Sequence, residues 1–256
     1  MLVRPSGPCW ILTLDASTPR SAIAVGRVDV DAGTHARVAS DDEAAEQASA
    51  QLMPRVERVL ARAGITPRAL AAVACGRGPG TFTGTRVAVA SAKGLAYGLG
   101  VPVVGVSTLA AVAASAEHEG PVLALLDARK GEVYGGRFEC ARLDGGEGLP
   151  RVSAVGDERV APLATLVEAL APRSPTLRVV GSGVEPYRDA LPPSLLATAR
   201  SLPGPTSAGL WAATVDAWAN GRLEDPAALE AVYLRQSYAE IGIHPPKRPF
   251  VKSPFV

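Results

Sequence analysis

Two aspartates stand where an apolar, strand-like run stops and a turn begins. One is Asp15 in Leu12-Thr13-Leu14-Asp15-Ala16-Ser17-Thr18; the other is Asp127 in Leu123-Ala124-Leu125-Leu126-Asp127-Ala128-Arg129-Lys130-Gly131. A carboxylate so placed, followed by hydroxyls and free backbone N–H groups, is equipped to handle a phosphate and its Mg²⁺. Glycine two residues after the acid would let phosphate approach the backbone, but Ser17 and Arg129 stand there instead. The functional reading has Asp15 and Asp127 holding Mg-ATP across a cleft. The alternative keeps both as hairpin-turn residues, and the missing glycines favour it. A second candidate for anions is the loop Gly76-Arg77-Gly78-Pro79-Gly80-Thr81-Phe82-Thr83-Gly84, between a strand and a helix. No lysine follows its last glycine, and Thr81 breaks the Gly-x-Gly-x-x-Gly spacing. The loop reads as a shaped strand-to-helix connection.

Other chemistry lacks its residues. His35, His118 and His244 have no metal-ligand spacing, and Cys9, Cys75 and Cys140 form no Cys-x-x-Cys pair. Gly181-Ser182-Gly183 lacks the frame of a nucleophile elbow, and no histidine is placed to activate Cys75. The chain of 256 residues has a formal charge of +1 and is 5% aromatic, which argues against holding nucleic acid unaided. Its longest uncharged stretch, Gly94–Ala116, is broken by Gly98, Gly100, Pro102 and Gly105, so no membrane span is expected. The N-terminal apolar run is too short for a signal peptide, and the cytoplasm is the expected compartment.

The elements that must position these residues repeat. Strands are expected at Trp10–Asp15, Ser21–Val28, His35–Ala39, Ala71–Gly76 and Val103–Val106. Ser40-Asp41-Asp42-Glu43 reads as a capping box, opening a helix over about 41–63 that stops at Gly64. A second helix is expected over 83–99, ended by Gly100, and a third from Ser107 to about Ala116. The same order restarts with strands Val122–Asp127 and Val133–Cys140. The glycine-rich loop Asp144–Gly148, a helix from Pro162 to about Leu170, strand Leu177–Gly181 and helix Ser207–Asn220 follow. Two βββαβα-type halves, each opening on strand–Asp–hairpin, point to an internal duplication. That pattern resembles the actin-like ATPase and sugar-kinase superfamily, an α/β fold of ribonuclease H-like subdomains, in which each half offers an Asp-x-Gly-x-Thr/Ser phosphate turn. The halves are expected at 8–106 and 107–236, with an extended tail over 237–256.

Gly84, Ala88, Ala92 and Ala96 recur every four residues and leave one stripe of the second helix almost without bulk. On the first helix Ala44 and Ala48 are small, while Leu52 and Val56 are large. Such faces serve the chain's own core or a helical bundle with a partner, and pattern alone balances the two. If they are an interface, helped by Gly78, Pro79, Gly80, Thr81 and Phe82, then Ala88→Trp should block pairing and spare the fold.

Three blocks resemble the TsaB (YeaZ) family: Gly78–Arg86 with Ala92-Lys93-Gly94-Leu95-Ala96, Val101–Leu109, and Leu125–Tyr134. Val232-Tyr233-Leu234-Arg235 resembles that family's C-terminal motif. The resemblance implies a non-catalytic subunit without a cofactor or metal of its own. Its implied partners are the paralogous transferase TsaD, which modifies an adenosine beside the tRNA anticodon, and the small ATPase TsaE. It also implies pairing through the first two helices, self-association by the same route, and contact with tRNA only through the complex; the sequence leaves open whether a nucleotide sits at the subunit boundary there. Where the family often has a histidine in the first helix, this sequence has Ala48. The reading from another class is an actin-fold ATPase or small-molecule kinase using Asp15 and Asp127.

Overall fold

The computed structural model describes residues 4–44, 48–142, 148–171 and 176–235. The tail 237–256 and most of the glycine-rich run Asp144–Gly148 lie outside them.

The first sheet is built around β1 (Cys9–Asp15), which is buried on both faces except at Trp10. It pairs antiparallel with β2 (Arg20–Asp29), and β2 pairs antiparallel with β3 (Thr34–Ala44). Its other edge runs parallel to β4 (Leu70–Gly76), which runs parallel to β5 (Val103–Val106). The order is β3-β2-β1-β4-β5. Helix α1 (Ala48–Arg62) precedes β4, α2 (Phe82–Leu99) precedes β5, and α3 (Thr108–Ala114) follows.

The second sheet repeats this plan. Strands β6 (Gly120–Asp127), β7 (Glu132–Ala141) and β8 (Arg151–Ala154) form an antiparallel meander, and β9 (Arg159–Pro162) adds to β7 beside β8. Helix α4 (Leu163–Leu170), β10 (Arg178–Val180), α5 (Pro193–Leu196), β11 (Ala199–Arg200) and α6 (Ser207–Ala219) complete the unit. Read from β8, the order β8-β7-β6-β10-β11 has the same pairing senses as the first sheet. The chain is thus a duplicated α/β structure of the actin-like ATPase and kinase type. The repeat makes α3 the counterpart of α6.

Helices α3 and α6 lie between the two sheets and join them in one core with Ile11, Val104, Leu126 and Phe138. They approach closely: a Cβ at Gly209 would stand 2.1 Å from Ser115 Oγ. Buried between two sheets, α6 is apolar nearly all round. Helices α1 and α2 cover the outer face of the first sheet, and α4 and α5 that of the second.

The expected capping box is not one. Ser40–Glu43 continue β3, and α1 begins at Ala48 instead of near residue 41. The acids have tertiary partners that outweigh a local cap. Asp41 accepts from the buried Arg55 at 3.2 Å and lies near Arg58 and Arg62, so it fastens α1 to β3. Asp42 caps a different helix, taking the Ser207 N–H of α6 at 2.6 Å. Ala44, expected on the first helix, is the last residue of β3.

Candidate functional site

The turn after β1 is sealed. Asp15, Ala16, Ser17 and Thr18 are all buried. Asp15 Oδ1 accepts from the N–H and Oγ of Ser17, each at 2.7 Å, and Oδ2 accepts from Thr108 Oγ1 at 2.9 Å. Burial pushes the Asp15 carboxyl above its usual range against these bonds. The seal is the glycine loop. A Cβ at Gly76 would stand 1.7 Å from Asp15 Oδ2, one at Gly80 2.4 Å from Ser17 O, and one at Gly84 2.0 Å from Ala16 O. Thr81 N–H donates to Ser17 O at 2.6 Å, and Thr81 Oγ1 caps α2 by accepting from Gly84 N–H. The glycines let the loop lie on the Asp15 turn, so they serve packing where a phosphate would otherwise enter.

The turn after β6 is open but strained. Arg129 and Lys130 have φ of 65° and 56°, ahead of Gly131 at 83°. Hairpins prefer asparagine and glycine at such positions, and a left-handed conformation costs other residues about 1–2 kcal/mol each. Asp127 Oδ1 accepts Arg129 N–H at 2.8 Å and the Tyr187 hydroxyl at 3.2 Å, and Asp127 N–H donates to Ser182 Oγ at 3.1 Å. Asp127 therefore works as a turn cap.

A strap from Glu224 to Arg235 spans both units. Glu224 and Val103 exchange backbone hydrogen bonds, Leu229 is buried under α2, and Val232 N–H donates to Arg77 O at 2.7 Å. Arg235 then binds Ala128 O at 2.8 Å and the Glu132 carboxylate. The four residues of the Val-Tyr-Leu-Arg motif thus tie the glycine loop to the second hairpin. Sequence spacing did not assign them a role. Between the units a cleft of about 600 Å³ remains, lined in part by Arg77, Ser107, Glu158, Arg222 and Glu224. Its charges largely answer one another: Arg77 pairs with Glu224 at 3.2 Å, and Ser107 donates to Glu158, whose carboxyl burial raises.

The interface candidates on α1 and α2 need correcting. Leu52, Val56, Gly84, Ala88, Ala92 and Ala96 are buried against the chain's own sheet, so their side chains are not offered to a partner. The small stripe of α2 brings the helix close to β4 and β1, and Ala88→Trp would strike the core. Ala48 is the first residue of α1. In the loop, Gly78 and Pro79 are buried and Gly80 is half-buried, whereas Thr81 and Phe82 are exposed.

The open side of α2 carries different residues: Phe82, Arg86, Ala90, Gly94, Tyr97 and Gly98. Tyr97 is 81% exposed and Phe82 52%. The Arg86 guanidinium lies 3.6 Å from the Phe82 ring centroid, and its Nε donates to the Tyr233 hydroxyl of the strap at 2.9 Å. Two aromatics holding an arginine in one posture, beside a run with open space at Gly94 and Gly98, suit a close-fitting partner. Among the described residues no three His, Cys, Asp or Glu side chains gather as metal ligands, and no helix is long and apolar enough to cross a membrane.

Comparison with known proteins bears on this geometry. A family model described as "TsaD: tRNA N6-adenosine threonylcarbamoyltransferase" matches residues 38–172. An uncharacterized protein of Mycobacterium bovis is 34% identical over 241 residues, covering 90% of this chain and 93% of that one. The tRNA threonylcarbamoyladenosine biosynthesis protein TsaB of Escherichia coli is 41% identical over 92 residues, 35% of this chain and only 40% of that protein. YeaZ from Pseudomonas aeruginosa superposes with a TM-score of 0.72 at 30% identity, covering 88% of this chain and 100% of that one. The chain belongs to the TsaB (YeaZ) family.

Proposed function

We propose that the chain is a non-catalytic subunit that pairs with a TsaD-type transferase in the synthesis of threonylcarbamoyladenosine on tRNA. The observation that carries this reading is the sealed Asp15 turn. The frame of a nucleotide-binding fold is kept while its first phosphate position is filled by the loop Gly76–Gly84. Chemistry is then left to the partner, and this chain supplies a surface. The pairing surface is the outward side of α2 with Phe82, Arg86, Ala90, Gly94 and Tyr97, joined by Tyr233. A small ATPase of the TsaE kind completes the assembly, tRNA is met through the complex, and a second copy of the chain competes for the same face.

An omission assay tests the reading. The transferase, the small ATPase, threonylcarbamoyl-adenylate and tRNA are combined with and without this chain, and threonylcarbamoyladenosine is quantified by mass spectrometry. Turnover should stall without the chain, and the chain alone should modify nothing. Sustained turnover in its absence, or Mg-ATP binding by the chain that Asp15→Ala abolishes, would sink the proposal in favour of an ATPase or kinase.

A further inference from the structure

We propose that the strap is a mechanical link: a partner seated on the open face of α2 holds the strap down and thereby steadies the second hairpin. The first part of the strap is anchored to the first unit. Lys93 Nζ donates to Ala227 O and Leu229 O, each at 3.0 Å, and the Leu229 side chain is buried. Arg235 sits on the second unit, where it clasps Ala128 O and the Glu132 carboxylate, the two ends of the hairpin turn. Between these anchors Val232 N–H donates to Arg77 O at 2.7 Å, and the Tyr233 hydroxyl accepts from Arg86 Nε at 2.9 Å.

The Tyr233 anchor is open to water. Tyr233 is 47% exposed, and Phe82 and Arg86 beside it are exposed too. The Phe82 and Tyr233 ring centroids lie 5.6 Å apart, with the Arg86 guanidinium 3.6 Å from the first and 5.9 Å from the second. Water competes for these contacts in the free chain, and a cation on an aromatic face gains when a partner excludes the solvent. A partner on this face therefore binds the strap-down form better than the released one, which is the differential affinity that a population shift requires.

The element that responds is the turn. Arg129 and Lys130 are left-handed, and strain of this kind persists only where the surroundings impose it. Asp127 and Tyr187 supply local support, but the Arg235 clasp arrives with the strap and joins residues 128 and 132, across which the turn closes. Releasing the strap removes that clasp and lets the turn leave its strained form. By linkage, anything that stabilises the hairpin tightens binding at α2 by the same factor. That the occupant of α2 is the transferase rests on the proposed function; the coupling belongs to the chain alone.

The test is hydrogen exchange followed by mass spectrometry on the full chain, read at the hairpin peptide 126–134, with α6 as the reporter of global opening. Arg86→Ala on α2 should speed exchange of the hairpin by about 2- to 30-fold, the range of single-residue coupling, and leave α6 unchanged. Arg235→Ala should speed the hairpin at least as much, and the double variant no more than Arg235→Ala alone, since the link runs through that clasp. A hairpin unmoved by Arg86→Ala, or effects that simply multiply in the double variant, would overturn the inference. If Arg86→Ala speeds α6 as well, Tyr233→Phe, which removes only the hydroxyl that Arg86 Nε meets, replaces it under the same criteria. Adding the transferase should slow exchange at the hairpin of the wild-type chain. Assembly confirmed by co-elution with hairpin exchange unchanged would also overturn the link. If the wild-type chain does not assemble, the proposed function fails separately, and the variants of the chain alone decide the coupling.

Discussion

One helix should respond with opposite signs to the same substitution. In α2, a Cβ added at Gly84 would stand 2.0 Å from Ala16 O and 2.6 Å from Thr81 Oγ1. No real Cβ sits that close, so Gly84→Ala must push the first turn of α2 off the Asp15 turn by about an ångström. That movement loosens the Thr81 cap and the Thr81–Ser17 hydrogen bond. Overpacking of this kind costs about 1–3 kcal/mol and a weakened cap about 1 kcal/mol, against about 1 kcal/mol returned by alanine's helix propensity. The net expectation is a loss of about 1–3 kcal/mol. At Gly94 on the open side nothing lies within 4 Å of the added Cβ, so the propensity gain of about 1 kcal/mol stands alone. For a chain of this size each kcal/mol moves the melting temperature by roughly 2–4 °C. Thermal and urea melts followed by circular dichroism should place Gly84→Ala below wild type and Gly94→Ala above it. A Gly84→Ala variant as stable as wild type would refute the claim that the loop glycines exist to seal the first phosphate turn.

Three further outcomes follow from burial. Ala88→Trp should give insoluble or unfolded chain, whereas Ala90→Trp, on the exposed side of the same helix, should fold with a native melt and lose the transferase in size-exclusion chromatography. A folded Ala90→Trp that still pairs would move the interface elsewhere. Glu158→Gln should stabilise the chain increasingly as pH rises. Burial lifts the folded carboxyl above the 4.5 of a free glutamate, so its favourable contribution is complete below that value and is lost as pH rises through the folded pKa. The amide keeps an acceptor for Ser107, so urea melts from pH 5 to 8 should show a widening gap; a constant gap would contradict the assignment. Finally, Cys75 is driven upward and Cys140 to about 12, both by burial. Native chain at pH 8 should take up iodoacetamide at these two sites more than about 100-fold slower than denatured chain, read by mass spectrometry.

Much of the fold is legible from local signals because those signals agree with tertiary structure. The run Val103–Val106, the end of α2 at Gly100, whose φ is 69°, and the helix over Ser207–Ala219 all sit where their patterns put them. Ser40–Glu43 shows where local signals stop. A capping box is a statement about nearby N–H groups, but Asp41 and Asp42 answer to Arg55 and Ser207, which are neighbours only in space. Strands β8 and β9 are four residues each, with one side mostly exposed, so they carry too little pattern to separate from a loop. The stripe Gly84–Ala96 was legible as a surface of close approach but not as to what approaches it, since a neighbouring strand and a foreign helix make the same demand for small side chains. The Val232–Arg235 strap had no legible role at all. Its residues each touch a different element, and none of those contacts leaves a period in the sequence.

The turns after β1 and β6 are built differently, one buried and one open to solvent. Asp15 sits in a buried network with Ser17 and Thr108, which ties the end of β1 to the start of α3 and so holds the first sheet to the shared core. Asp127 braces the second hairpin by accepting the Arg129 N–H and the Tyr187 hydroxyl. The strap links both places, lying on Gly78 through Val232 and on the second hairpin through Arg235, while Tyr233 between them reaches Arg86 on the open face of α2. A partner that orders Phe82, Arg86 and Tyr233 would therefore press on the same strap that steadies the hairpin. The strap thus joins the open face of α2 to the second hairpin.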